Sequence, residues 1–255
     1  MILWCVTPEC PAVPSMMRTF FTFEISTGKN RDNRRRAAKA QGAKAIRQRG
    51  VEHREVSTEK GMPVETKNTN KPFKSKPVIP SVHQRKELLY AMAETGADWI
   101  MLKLGDVNTL AQLVGHIHRF GKKVMVHQDS IKGIARDKMG IQYMANCGVD
   151  CVITMKAPCV KYIKEAGMIA AFGFFVIDSD ACRSGLANIK EQQPDVVILM
   201  PGTLPLQLIR EIKNEAGTPI ILGGLMTTAE QITGAMTTGV AAVATSNPDL
   251  WNLES

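Results

Sequence analysis

Aromatic residues are scarce in this chain: phenylalanine, tyrosine and tryptophan make up 5% of its 255 residues. Proteins that read single-stranded nucleic acid by stacking bases need such rings on an exposed platform. No RNP, KH or OB signature is present either, so the composition of residues 77–255 does not announce nucleic acid. Long apolar runs are also missing. Residues 1–23 are apolar but interrupted by Pro8, Glu9, Pro11 and Pro14, which excludes the uninterrupted helix of about 20 residues that a membrane span requires. No positively charged segment precedes that stretch, which argues against a secretory signal. The six cysteines, Cys5, Cys10, Cys147, Cys151, Cys159 and Cys182, include no CxxC pair and no histidine at zinc spacing. They read as reduced cysteines of a cytoplasmic protein. The aspartates and histidines form no tight cluster, so no metal site is expected.

Positive charge is present, but in one place. The net charge is +8, and residues 1–76 carry a net +9 against −1 for residues 77–255. Arg34, Arg35, Arg36, Lys39, Lys44, Arg47 and Arg49 lie among alanines and glutamines, a pattern that can form a basic helix on an anionic surface such as nucleic acid. A disordered tail, an arginine-rich transit segment and upstream sequence foreign to the natural protein are the blander readings of the same stretch. Met62 after Gly61 is a candidate true start, and residues 65–76, polar with Pro72, read as a linker. The expected organisation is a disordered basic arm and linker over 1–75 and a barrel over 76–253.

From residue 77 onward, eight short apolar runs (78–82, 99–104, 123–128, 151–155, 169–177, 196–200, 220–222 and 242–245) alternate with stretches of helical spacing. Alternation of this kind predicts βα units and a parallel sheet. The fold class expected is α/β, a (β/α)8 TIM-type barrel with short helices and a shortened last unit at Pro248-Asp249-Leu250-Trp251. An open doubly wound sheet has the same strand count.

Two turns late in the chain carry the strongest functional signal. Gly223-Gly224-Leu225 follows Ile220-Ile221-Leu222, and Thr245-Ser246-Asn247 follows Ala242-Val243-Ala244. In a parallel β/α fold both lie at the carboxyl ends of adjacent strands, where unobstructed backbone amides can converge on an anion. Gly223, Gly224, Thr245, Ser246 and Asn247, with Gly202 at the end of the sixth strand, are the expected phosphate ligands. Charged and polar groups at other strand ends are few: Lys103, His127, Asp129, Lys156 and Asp178. His127 and Asp129 share a face if the third strand continues through them, since side chains alternate with period two. An enzyme would use the lysine or histidine on protons or a carbonyl and the carboxylates to orient them. A sensor would use the same groups only to bind a small phosphorylated polyol. Taken singly, His127 also fits a satisfied strand-end histidine, Asp178 a helix N-cap, and Lys103 or Lys156 a side chain reaching solvent.

The segments Lys123-Val124-Met125-Val126-His127-Gln128-Asp129-Ser130, Ile153-Thr154-Met155-Lys156, Phe175-Val176-Ile177-Asp178-Ser179, Leu199-Met200-Pro201-Gly202, Ile220-Ile221-Leu222-Gly223-Gly224 and Ala242-Val243-Ala244-Thr245-Ser246-Asn247 resemble, in order and spacing, the glycerol uptake operon antiterminator regulatory proteins. The resemblance spans residues 76–253. It implies a β/α barrel in a cytoplasmic bacterial regulator that is not an enzyme, uses no cofactor, responds to glycerol 3-phosphate and binds the leader messenger RNA of the glycerol operon. It leaves room for a homodimer. It places the phosphate on the two-turn cradle and the polyol end at His127, Asp129 and Lys156. The chain departs from the family pattern at His83, where an arginine is usual, and at Phe172-Gly173, where a Gln-Arg pair is usual.

Overall fold

The computed structural model describes Phe73 and residues 76–253. The basic arm therefore lies outside the described residues. Among the described residues, eight strands alternate with seven α-helices: β1 (Val78–Val82), α1 (Arg85–Ala93), β2 (Trp99–Leu102), α2 (Leu110–Arg119), β3 (Lys123–His127), α3 (Lys138–Asn146), β4 (Cys151–Thr154), α4 (Cys159–Glu165), β5 (Ile169–Phe175), α5 (Ser179–Gln192), β6 (Val196–Met200), α6 (Leu206–Ala216), β7 (Ile220–Gly223), α7 (Ala229–Met236) and β8 (Ala242–Thr245). Short 3-10 turns follow β3, over Gln128–Ser130, and β8, over Pro248–Leu250. The strands pair in parallel in sequence order, and β8 returns to β1 through Val78↔Val243 and Ile79↔Ala244. Closure decides between the two architectures open to the sequence, in favour of the (β/α)8 barrel. Among the described residues no helix is long and apolar enough to cross a membrane.

The strands are short and almost wholly apolar because both of their faces are covered. Alternate residues divide into two cores. Ile100, Leu102, Val124, Val126, Val152, Val197, Leu199 and Leu222 pack outward against the helices, whereas Ile79, Met101, Met125, Ile153, Ala171, Ile198, Ile221 and Ala244 fill the lumen. Phe73 closes the amino-terminal end of the lumen. It is buried against Trp99, with ring centroids 5.0 Å apart, although the sequence places it in a linker. Burying a phenylalanine ring contributes about 1.5 to 3 kcal/mol, so an apolar residue beside an open barrel end is drawn in.

The amino-terminal ends of the strands are braced by polar groups. Lys122 Nζ donates to the carbonyls of Thr95 and Ala97, each at 2.7 Å. Asp150 and Asp195 accept the amides of Val124 and Ala170 on the preceding strands, both at 2.9 Å. With that end filled and braced, the carboxyl-terminal mouth is left to hold a ligand, as in barrels generally.

Candidate functional site at the barrel mouth

A cavity of about 350 Å³ opens at the carboxyl ends of the strands. Three parts of the chain build it. The ends of β1, β2 and β3 contribute Ser81, His83, Lys103 and His127; Ile153, Ile198 and Met200 make an apolar wall; the loops after β7 and β8 contribute Gly223 to Thr227 and Thr245 to Asn247.

The two loops are stitched to each other. Thr245 is buried, and its hydroxyl donates to the Met226 carbonyl at 2.7 Å while accepting the Asn247 amide at 3.1 Å. Asn247 Nδ2 donates to the Thr227 carbonyl at 3.3 Å, and the indole of Trp251 donates to the Thr245 carbonyl at 2.9 Å. Gly224 and Leu225 both adopt left-handed backbone, with φ of 81° and 62°. This is unfavourable for a leucine by about 1 to 2 kcal/mol, and such strain is typical of ligand-clamping turns. The amides of Thr227 and Thr228 are taken by Gln231 Oε1, at 2.8 and 3.2 Å, within the capping box of α7. The amides of Leu225, Met226 and Ser246 take part in none of these bonds, so the cradle has donors to offer an anion.

On the opposite side, Lys103 follows directly after β2, its amide held by the Val82 carbonyl at 2.9 Å. Burial lowers its ammonium pKa, and no carboxylate among the described residues offsets that burial. His127 ends β3, and its Nδ1 is buried without a partner. Burial first, and then the charge of Lys103, hold its pKa below the ordinary value of 6.5, with Arg136 acting in the same sense and Asp129 opposing. His83 is lowered likewise by burial and by Lys103, against Glu87. Among the described residues, no aspartate or glutamate lines the cavity.

These directions fix a pH dependence. A histidine whose folded pKa lies below its unfolded value binds its proton more weakly in the folded state, so stability holds above pH 6.5 and falls as pH drops through the folded value. Ligand-free protein is expected to lose melting temperature between pH 7 and pH 5, and His127→Asn is expected to flatten that slope. Parallel slopes in the two proteins would mean that His127 is not a source of it.

Of the residues singled out by sequence, the structure brings Lys103, His127, Gly223, Gly224, Thr245, Ser246 and Asn247 together around one cavity. The other four lie outside its lining. Asp129 sits in the 3-10 turn and pairs with Arg136 Nε at 2.6 Å; the strand ends at His127, so the period-two expectation that put the two on one face does not apply. Lys156 is exposed beyond the end of β4, its amide on Thr154 Oγ1 at 3.2 Å. Asp178 caps α5 by accepting the Ala181 amide at 2.7 Å. Gly202 is buried, and its amide donates to the Gly224 carbonyl at 2.9 Å. A Cβ there would lie 2.7 Å from Met226 Cγ, so this glycine lets the loops after β6 and β7 approach. Where the family pattern has a Gln-Arg pair, a Cβ on Gly173 would lie 2.7 Å from Met155 Sδ and 3.3 Å from Met200 Cε, so methionines occupy that part of the lumen. Sequence reasoning missed Ser81, which is 4% exposed with an unpartnered hydroxyl. The available signal was a lone hydroxyl in an apolar run, in step with the lumen-facing Ile79.

Residues 78–251, more than half of the chain, match the family described as glycerol-3-phosphate responsive antiterminator. The crystal structure of glycerol uptake operon antiterminator regulatory protein from Listeria monocytogenes strain 4b F2365 superposes with a TM-score of 0.67 at 31% identity, covering 71% of this chain and 97% of that one. A glycerol uptake operon antiterminator-related protein from Thermotoga maritima MSB8 gives a TM-score of 0.62 at 27% identity, over 69% and 98% of the two chains. Uncharacterized protein YgcP of Escherichia coli strain K12 is 25% identical over 182 residues, 71% of this chain and 94% of that protein. Aldolase barrels at 11% and 12% identity share the fold alone. With matched segments that include both loops of the cradle, the chain belongs to the glycerol-3-phosphate responsive antiterminator family.

Proposed function

We propose that this protein is a cytoplasmic, ligand-gated RNA-binding regulator that binds glycerol 3-phosphate at the barrel mouth and the leader messenger RNA of glycerol genes elsewhere on its surface. The observation that carries the ligand half is the pair of loops after β7 and β8, bonded to each other through Thr245 and Asn247 across a cavity that also holds Lys103. A phosphate on the amides of these loops stabilises both at once. Gating follows from that coupling, because a ligand shifts a conformational equilibrium by as much as it favours one loop arrangement. Family membership supports the RNA half, and the positive charge of residues 1–76 is suited to a phosphate backbone. The enzyme reading loses support from the site: a barrel isomerase or aldolase wants a carboxylate to orient its lysine or histidine, and Asp129 and Asp178 are engaged outside the cavity.

Trp251 donates to Thr245 of the cradle itself, so its fluorescence should respond to occupancy. Titration of the full chain with glycerol 3-phosphate is expected to change tryptophan emission, to add about 2.7 kcal/mol of stability at 100 times the dissociation constant, and to alter retardation of a glycerol-operon leader RNA over the same concentration range. Binding without any change in RNA retardation would remove the gating. No binding at all would remove the effector site.

A further inference from the structure

We propose that the β1–β3 wall of the cavity is a second anion subsite, so that the ligand fitting this protein best is a phosphomonoester that also carries a carboxylate, given that the cavity is the effector site proposed above. The phosphate end is provided for by the loops after β7 and β8. The opposite wall is chemically one-sided. Lys103 brings an ammonium with three donors and no acceptor, partly buried and with no carboxylate near enough to offset its burial. Ser81 lies below it on the adjacent strand, with a hydroxyl 4% exposed as a residue and without a partner. His127 flanks Lys103 on the other side and presents a ring whose buried Nδ1 is equally unpartnered.

Strand order places β1, β2 and β3 side by side, so Ser81, Lys103 and His127 form one continuous lumenal face. Among the described residues, the groups lining the cavity include two histidines and a lysine but no aspartate or glutamate. A wall made of one ammonium, a hydroxyl and an imidazole that can each donate, with a net positive charge, is the complement of an acceptor-only anion. A carboxylate fulfils that role with two oxygens, whereas the hydroxymethyl end of a glycerol phosphate brings a proton of its own and no charge. Hydrogen bonds to an ionised acceptor are roughly twice as strong as neutral ones. A partly buried cation without a counter-charge is also a costly arrangement, which a ligand carboxylate would relieve.

The test is calorimetric titration of the full chain with 3-phosphoglycerate and with glycerol 3-phosphate, on the parent, on Lys103→Met and on Lys103→Gln. In the parent the phosphorylated acid is expected to bind at least about tenfold more tightly than the phosphorylated alcohol, the preference that one charge-assisted contact supplies. Either lysine variant is expected to bring the ratio close to one while still binding both compounds through the cradle. Equal or weaker binding of the acid by the parent overturns the subsite, as does a preference that survives in a folded lysine variant. Should one variant fail to fold, the other and the parent ratio decide. If neither phosphomonoester binds the parent, the effector site itself falls, and the subsite falls with it.

Discussion

Gly223→Leu is expected to abolish glycerol 3-phosphate binding while leaving the barrel folded. Gly223 is the last residue of β7, is buried, and sits in ordinary extended backbone with no left-handed φ. A Cβ added there would meet Ile198 Cγ2 at 3.6 Å and Met200 Cγ at 3.8 Å, both ordinary contacts on the lumenal side. The first carbon is therefore tolerated, and the rest of a leucine extends into the cavity of about 350 Å³. Apolar surface gained against Ile198 and Met200 offsets the entropy of fixing the side chain, so stability should stay within about 1 kcal/mol of the parent. Affinity should fall at least roughly 100-fold, equivalent to about 2.7 kcal/mol. Gly223→Ala, which adds only the tolerated carbon, is expected to bind nearly as the parent does. Calorimetric titration alongside thermal melting reads both effects, and a leucine variant that binds normally would put the ligand somewhere other than this cavity.

Gly140→Ala should produce the largest loss of stability from a single added methyl group. Gly140 lies in the first turn of α3, and its amide is capped by Asp137 Oδ1 at 2.9 Å. A Cβ on it would stand 1.9 Å from the carbonyl oxygen of Ala135 and 2.9 Å from its carbon. Both atoms are backbone, so no side-chain rotation relieves the overlap. Either the loop between β3 and α3 moves or the helix gives up its cap, which by itself is worth about 1 kcal/mol. With the overpacking term, a loss of about 3 kcal/mol is expected, or a fall in melting temperature of roughly 6 to 12 °C for a domain of this size. Chemical denaturation measures it directly. A loss under about 1 kcal/mol would mean that the loop does not run this close to the helix. Because the same loop carries the Asp129–Arg136 ion pair beside His127, the variant should also shift the pH profile.

The elements of the fold were legible in the sequence with small errors at their ends. The runs at 78–82, 196–200 and 242–245 coincide with β1, β6 and β8. The run at 169–177 overshoots β5 by two residues, because Val176 and Ile177 are apolar although the chain has already turned. Ile177 is 79% exposed, so apolarity there does not report burial. Phe73 is the opposite case, a ring in a polar stretch whose burial depends on an open barrel end far away in the chain.

The two turns after β7 and β8 were legible for the same local reason as the strands. Glycine beside glycine, and threonine before serine and asparagine, restrict the backbone and supply hydrogen bonds within a few residues, so the sequence dictates two turns. Which polar residues meet at the mouth is a different kind of quantity. Period-two alternation places a side chain only while the strand lasts, and one residue of turn rotates the next group away. For that reason Asp129, Lys156 and Asp178 leave the cavity once β3, β4 and β5 end. The sequence by itself determined the order of elements, the turns and the loop chemistry, all set by contacts between near neighbours. Only the closed barrel decided that Ser81, Lys103 and His127 line the same cavity as loops far along the chain, because that meeting depends on where each strand stops and on β8 returning to β1.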